Sequence, residues 1–256
     1  MVSSPPPGDK LQKVLAQQGL GSRREIEQWI RDNRLKVNGK LAKLGDRVLA
    51  TDRILLDGKT VTVKAHHTPT RVIAYNKPTG QICSRKDPQG RDSVFDHLPK
   101  ITGSRWVMVG RLDYNTSGLL LFTTEGELAH RLMHPSYEIE REYAVRVFGA
   151  LSPESAKELT DGVMLNGKLA KLDLITDAGG QGRNHWFHVR LTEGQNREIR
   201  QLFEHVGTTV SRLIRIRYAH LTLDSSLKPK QWAELSQNDI NKLYRLVKLP
   251  LAPRPA

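Results

Sequence analysis

The pattern of apolar and polar positions in the first 60 residues predicts two short helices followed by two β-hairpins. An apolar stripe with helical spacing begins at Leu11 and ends at glycines near residue 20. Ser22 and Glu25 have the spacing of a capping box, which predicts that a second helix begins there. Asn-Gly at 38–39 and Asp-Gly at 57–58, each between short apolar runs, are strong signals for two-residue hairpin turns.

Beyond residue 71 the pattern changes to strand-like alternation interrupted by helices. Because strands and helices do not alternate strictly, the pattern predicts an α+β domain on a mixed, mainly antiparallel β-sheet rather than a doubly wound parallel sheet. The predicted strands are 72–76, 106–109, 119–123, 142–148, 172–176, 186–191 and 210–217, and the predicted helices are 127–133, 153–159, 196–206 and 239–247.

These patterns divide the chain into two domains with short flanking segments. We expect a disordered tail at 1–9, a small α/β domain at 10–64, a linker at 65–70, a larger domain at 71–249 and a C-terminal tail at 250–256.

The charge balance implies a polyanionic partner. The 256 residues contain 40 Lys and Arg against 27 Asp and Glu, a net charge of +13. Residues 10–60 alone contain twelve basic and six acidic residues, a net of +6. An anionic membrane surface would need a Lys-rich amphipathic helix with apolar aromatic anchors, which the sequence lacks, so nucleic acid is favoured. Charge alone does not separate DNA from RNA, or an enzyme from a passive binder.

The N-terminal region resembles the alpha-L RNA-binding domain. The resemblance rests on KLQKVLA at 10–16, GSRREIE at 21–27 and VNGK at 37–40. It implies that the arginines opening the second helix and the lysines of the first hairpin contact the RNA backbone; these are Arg23, Arg24, Lys36 and Lys40. The alternative is that all four are solvated surface charges.

The most specific stretch of the second domain is GRLDYNTSGLLL at 110–121. Arg111 and Asp113 lie two residues apart in a loop bounded by glycines and flanked by apolar strands, an arrangement that packing does not require. From the residues alone, a functional carboxylate and a turn in which Asp113 caps backbone amides and pairs with Arg111 are equally good interpretations.

This stretch resembles the catalytic loop of the pseudouridine synthases that act on ribosomal RNA. Three further stretches agree with that family in the same order, YNKPTG at 75–80, REYAV at 141–145 and EGQNREIR at 193–200. The resemblance, including the N-terminal domain, covers most of the chain from residue 10 to residue 249. It implies an enzyme that flips a uridine out of its RNA and isomerises it to pseudouridine.

The resemblance assigns the catalytic roles to three residues. Asp113 would be the carboxylate that opens the glycosidic bond, by attack on the sugar or by removal of a sugar proton. Tyr143 would stack on the flipped base and assist proton removal; the alternative is a core tyrosine on its strand. Arg200 would form a salt bridge that orients Asp113 and keeps it ionised; the alternative is a surface arginine paired with Glu204.

The substrate-binding residues implied by the resemblance are Arg111, Asn196, Arg197 and Ile214. We expect Arg111 and Arg197 to contact phosphate or base, and Ile214 to form the apolar wall of the uracil pocket.

Other chemistry finds no support in the sequence. His130 and His134 have a zinc-like spacing, but Arg131 stands where a metalloprotease helix needs Glu, and no third ligand is evident. The segment at 77–80 lacks the ending of a phosphate loop. We therefore expect no metal and no organic cofactor. The single cysteine, Cys83, excludes an internal disulfide and fits a reducing cytoplasm, and we expect it to be a small strand residue rather than a nucleophile.

Taken with the resemblance, the sequence predicts a cytoplasmic, monomeric isomerase whose substrate is large-subunit ribosomal RNA, with neither membrane nor DNA as partner. Two alternatives remain open at this stage. One is a non-catalytic ribosome-assembly factor that uses only the basic N-terminal domain, and the other is a related synthase for small-subunit or transfer RNA.

Overall fold

The structure is a computed structural model that describes residues 8–63, 69–85, 87–194 and 197–251. Seventeen strands and six α-helices are found in these ranges. The strands are β1 Asp9–Lys10, β2 Leu35–Val37, β3 Lys40–Leu41, β4 Arg47–Val48, β5 Ile54–Leu56, β6 Lys59–Val61, β7 Val72–Lys77, β8 Val107–Val109, β9 Ser117–Thr123, β10 Arg141–Phe148, β11 Val163–Leu165, β12 Lys168–Ala170, β13 Leu174–Gln181, β14 Asn184–Leu191, β15 Val210–Tyr218, β16 Leu221–Thr222 and β17 Trp232–Glu234. The helices are α1 Leu11–Gln17, α2 Arg23–Arg31, α3 Gly126–Met133, α4 Pro153–Asp161, α5 Glu198–His205 and α6 Gln237–Leu246, with single 3₁₀ turns at Val94–His97 and Pro135–Tyr137.

The N-terminal unit has its own apolar core, built from helices α1 and α2 against the sheet β3-β2-β5-β6. The predicted capping box is present, because the Ser22 side chain accepts from the Glu25 amide while the Glu25 carboxylate accepts from the Ser22 amide. Both hairpin turns are confirmed, with positive φ at each residue of the pairs 38–39 and 57–58. Asp9, which the sequence placed in the tail, instead pairs with Val48 in the two-stranded sheet β1-β4.

The larger unit is built on a nine-stranded mixed sheet of order β13-β14-β10-β15-β9-β7-β17, with β16 on β15 and β8 on β9. Among the described strands of this sheet, the pairing of β9 with β15 is parallel and the other pairings are antiparallel. The predicted α+β class with a mixed, mainly antiparallel sheet is confirmed. Two apolar clusters lie on its two faces. The first contains side chains of α4 and α5, and the second contains side chains of α3 and α6.

Gly118 makes the parallel junction of β9 and β15 possible. A Cβ at this position would lie 2.3 Å from the carbonyl oxygen of Arg215, and its φ of +107° is one that L-residues avoid. The junction matters for function because the loop carrying Asp113 leads directly into β9.

The two units touch at the turn between α1 and α2. A Cβ on Gly19 would lie 2.8 Å from the carbonyl oxygen of Ser104, so the backbones of the two units approach closely there. None of the helices in the described ranges is long and apolar enough to cross a membrane.

Candidate active site

Asp113 lies on an exposed loop that is anchored by buried residues on each side. The loop connects β8 to β9 between two glycines with positive φ. Leu112 packs in the first apolar cluster and Thr116 is buried, whereas the side chain of Asp113 is exposed. The amide of Thr116 donates to the carbonyl of Asp113 at 3.0 Å, and the amide of Gly80 donates to the carbonyl of Tyr114 at 2.9 Å. The carboxylate is therefore presented to solvent by a fixed backbone.

Lys77 holds this loop from beneath. Its side chain is fully buried, and its Nζ donates to the carbonyls of Pro78 at 3.0 Å, Asp113 at 3.0 Å and Thr116 at 2.8 Å. Burial lowers the pKa of Lys77, and the charge of Asp113 acts in the opposite direction. Sequence reasoning missed this residue. A lysine that ends an apolar strand immediately before a proline was the available signal, although it does not reveal which carbonyls the ammonium binds.

Arg200 binds the same loop from the side of helix α5. It is 8% exposed, and its guanidinium donates to the carbonyls of Val210 at 2.8 Å and Asn115 at 3.0 Å. Burial lowers the pKa of Arg200, Arg197 acts in the same direction, and the charge of Asp113 opposes both. The alternative of a surface arginine is wrong, because the side chain is buried.

The expected direct salt bridge between Arg200 and Asp113 is not formed in the described part of the chain. The guanidinium reaches the loop through the carbonyl of Asn115 instead. Its Nε and the Oγ1 of Thr116 are both buried and have no hydrogen-bond partner among the described residues. Arg200 thus fixes the backbone on which Asp113 sits, while leaving the carboxylate free of a direct ion pair.

Tyr143 lies in a row of paired residues that crosses the sheet toward the Asp113 loop. Tyr143 on β10 pairs with Arg215 on β15, Arg215 pairs with Gly118 on β9, and Gly118 pairs with Lys77 on β7. Tyr143 is 8% exposed and belongs to the same apolar cluster as Leu112. The structure therefore brings Tyr143 to the face on which the loop is anchored. The core-tyrosine interpretation is also compatible with this burial.

Arg215 is a second buried cation that the sequence analysis did not single out. It is 2% exposed, its Nε donates to the carbonyl of Leu119 at 2.7 Å, and its guanidinium lies 5.1 Å from the ring centre of Tyr218. Its Nη2 is buried without a partner in the described ranges. Arg215 therefore links β15 to β9 beside the Asp113 loop. The only sequence signal for a buried arginine here was its position among apolar residues of a predicted strand.

The register corrects the expectation for Ile214. Tyr143 pairs with Arg215, and the next residues along the two strands, Ala144 and Ile214, pair with each other. Successive side chains of a strand point to opposite faces of the sheet. Ile214 therefore lies on the face opposite Tyr143. Leu213, which pairs with Val145 and is buried in the first cluster, is the apolar residue of β15 that shares the face of Tyr143.

The remaining predicted binding residues are exposed near the loop or outside the described residues. Arg111 and Arg197 are exposed, and Arg197 has a φ of +53° at the start of helix α5. This region of backbone space is uncommon for a residue other than glycine, and Arg197 adopts it at the N-cap of the helix that carries Arg200. Asn196 lies outside the described residues.

In the N-terminal unit, all four predicted RNA contacts are solvent-exposed. Arg23 and Arg24 form the first turn of α2, while Lys36 and Lys40 lie on the first hairpin. Their placement leaves them available to a phosphate backbone.

Comparison with known proteins agrees with this fold and loop. The family described as RNA pseudouridylate synthase matches residues 71–205, and the S4 domain matches residues 9–54. The chain belongs to the RNA pseudouridylate synthase family, with an N-terminal S4 domain, and is therefore an enzyme that isomerises uridine in RNA.

Its relatives include the ribosomal large subunit pseudouridine synthase B of Yersinia pestis, which is 55% identical over 245 residues and matches 94% of this chain and 77% of the relative. The protein of the same name from Escherichia coli strain K12 is 54% identical over 245 residues, covering 94% of this chain and 84% of the relative. A crystal structure of a pseudouridylate synthase superposes with a TM-score of 0.64 at 23% identity, covering 92% of this chain and all of that chain, and it shows the same fold.

Proposed function

We propose that this enzyme converts a uridine of large-subunit ribosomal RNA to pseudouridine, with Asp113 as the catalytic carboxylate. The names of the relatives at 54% and 55% identity support the choice of RNA. The observation that carries the catalytic assignment is an exposed carboxylate on a loop whose backbone is bound by two buried cations, Lys77 and Arg200.

This arrangement suits the first step of the reaction. Breaking the glycosidic bond requires a carboxylate that adds to the anomeric carbon or removes a sugar proton, and both routes need it ionised and close to the ribose. A rigid loop reduces the cost of placing the carboxylate, since a misplacement of about 1 Å can lower a rate on the order of 10²-fold. The buried cations supply this rigidity through backbone carbonyls, so the carboxylate oxygens remain available to the substrate.

Tyr143 would then receive the detached base. Flipping a nucleotide costs a few kcal/mol of stacking, and an aromatic ring against the base restores part of it. Leu213 would contribute the apolar wall beside Tyr143, replacing Ile214 in this role, while Arg111, Asn196 and Arg197 would hold flanking phosphates or the base. Arg23, Arg24, Lys36 and Lys40 would bind the RNA backbone away from the target.

We also propose that the protein is a cytoplasmic monomer that uses no metal or organic cofactor. The domain boundaries proposed are 9–64, which includes the paired Asp9, and 71–249. Within the described ranges, Cys83 is a free thiol, which is compatible with a reducing compartment.

The decisive test of the substrate is to map pseudouridine in all stable RNAs of the source organism with and without the gene. Loss of one pseudouridine in large-subunit ribosomal RNA, restored by the purified enzyme acting on that RNA, is expected. Loss confined to small-subunit or transfer RNA, or an unchanged map, would overturn the choice of substrate.

A further inference from the structure

One half of the sheet's second face has no helix over it among the described residues. The cluster on this face takes its side chains from β7, β8, β9, α3 and α6 and from the end of β15 with β16, and it includes none from β13 or β14. On β10 and β14, Val145, Val147, Phe187 and Val189 are buried in the first cluster. Their neighbours therefore point away from that cluster to the opposite face of the sheet, where Arg146 and Trp186 are half-buried and Phe148 is exposed.

The outward residues of β10, β14 and β15, with Arg183 from the turn between β13 and β14, form a surface that we name the open sheet face; it is defined by Arg146, Phe148, Arg183, Trp186 and Arg212. Arg146 pairs with Trp186 on one side and with Arg212 on the other, and Phe148 pairs with Asn184. Phe148 is 57% exposed, which is unusual for an aromatic side chain on a sheet. The face is opposite the one occupied by Tyr143, so the catalytic role does not explain it.

The open sheet face is positively charged without internal compensation. Arg146 and Arg212 lie directly opposite each other on adjacent strands, an arrangement of like charges that costs stability. In the described part of the chain, none of the three arginines forms an ion pair; Arg146 donates to the hydroxyl of Ser211 at 3.0 Å. The carboxylate of Glu142, which lies on the same face of β10, is engaged by Arg217 and His188. A polyanion would relieve the repulsion.

The aromatic side chains alternate with these charges. The guanidinium of Arg146 lies 5.8 Å from the ring centre of Trp186, and that of Arg183 lies 5.8 Å from the ring centre of Phe148. Beside Trp186, a pocket of about 420 Å³ is lined by Asn184, Gln181 and the backbone of the β13 bulge. Amide side chains next to the half-buried indole of Trp186 provide hydrogen-bond donors and acceptors for a base edge together with a surface on which a base stacks.

From these observations we propose that the open sheet face is a second RNA-binding site, which takes a short unpaired segment distant from the target uridine. Arg146, Arg183 and Arg212 bind its phosphates, and Trp186 stacks on one base next to the pocket. The occupant is RNA rather than an acidic protein because aromatic rings and amide groups, which bind bases, lie between the cations. Such a site lets the enzyme hold its substrate by two separated segments.

The test measures binding of a fluorescently labelled ten-nucleotide oligoadenylate, which contains no uridine, as a function of salt. The variant Arg146→Ala with Arg212→Ala is expected to bind more weakly and to lower the slope of log affinity against log salt by about 1.4, the value for two lost single-strand phosphate contacts. Trp186→Leu is expected to weaken binding about tenfold while leaving the slope unchanged, because it removes stacking and no charge.

The control is Lys242→Ala with Lys248→Ala, which removes two exposed positive charges on and just after helix α6, the first of them ion-paired with Asp239. It should leave both affinity and slope as in the wild type. Turnover of a minimal stem-loop containing the target uridine should be the same in the double-arginine variant as in the wild type, which also shows that the variant is folded. The proposal is overturned if the double-arginine variant binds oligoadenylate like the control, or if its turnover of the minimal stem-loop falls in parallel with its affinity.

Discussion

Replacing Lys77 by methionine removes the ammonium beneath the Asp113 loop while keeping an unbranched apolar side chain that is one heavy atom shorter. The carbonyl of Asp113 keeps its bond from the Thr116 amide, whereas the carbonyls of Pro78 and Thr116 lose the donor that Lys77 supplies. A buried acceptor left without a partner costs about 1–3 kcal/mol, and relief from burying a cation offsets part of the total. The expected net loss of stability is roughly 3 kcal/mol.

The same variant should also impair catalysis. A loop that relaxes by about 1 Å lowers kcat on the order of 10²-fold while leaving KM nearly unchanged, because RNA binding depends on other surfaces. The assays are denaturant unfolding and steady-state turnover of a stem-loop substrate. The control is Lys100→Met, at an exposed lysine, whose unfolding free energy should stay within about 0.5 kcal/mol of the wild type. If Lys77→Met matches this control in both assays, the anchoring role of Lys77 is wrong.

The difference in unfolding free energy between the wild type and Lys77→Met should depend on pH, in a direction fixed by the pKa of Lys77. Burial lowers the pKa of Lys77 below its ordinary value of 10.5, so the unfolded chain holds this proton more tightly than the folded protein. The stability of the wild type relative to Lys77→Met should therefore rise as pH increases from the lowered pKa toward 10.5, and be constant below that window.

Three further predictions follow from other parts of the molecule. Gly118→Ala should lower the free energy of unfolding by about 3 kcal/mol or more, because its Cβ would overlap the backbone of β15. The control Gly110→Ala, whose Cβ would meet no atom within 4 Å, should lower it by only about 1 kcal/mol in the same denaturant-unfolding assay, because it adds left-handed backbone strain alone. The ammonium of Lys230 contributes most to holding the pKa of Asp92 below its ordinary value, so the stability of the wild type should decline as pH falls below about 4. In measurements of Tm against pH, Asp92→Asn should show a smaller decline over this acidic range. Replacing both arginines at 23–24 by alanine should weaken RNA binding and reduce the salt slope by roughly 1.5, and an unchanged slope would contradict the assignment of helix α2 to RNA.

Local signals made most of the fold predictable. The capping box that opens α2 and the Asn-Gly turn at 38–39 act within a few residues, so their geometry follows from the residue types present. The same signal at 166–167 was overlooked, and it forms the β11–β12 hairpin with positive φ at both turn residues. The edge strand β17 was missed because only three residues pair, and their alternation is too short to stand out.

The site was predictable only in part, because its geometry depends on contacts between distant segments. The sequence motif around Asp113 identified the loop, and the predicted helix containing Arg200 identified a residue that contacts this loop. The parallel register of β9 and β15 decides which atoms of the loop and of Arg200 come into contact, and no local pattern encodes this register. The sequence therefore predicted an ion pair between Arg200 and Asp113, whereas Arg200 binds the carbonyl of Asn115. The same register places Ile214 on the wrong face for its expected role.

The central claim is that the carboxylate of Asp113 performs the chemistry on a loop held by buried cations. Asp113→Asn keeps the size of the side chain and the backbone bonds of the loop, so a single-turnover assay on a uridine-containing stem-loop, run beside a binding measurement, tests it most directly. We expect RNA affinity within about twofold of the wild type and pseudouridine formation reduced on the order of 10³-fold or more. Pseudouridine formation at the wild-type rate by Asp113→Asn would contradict the account.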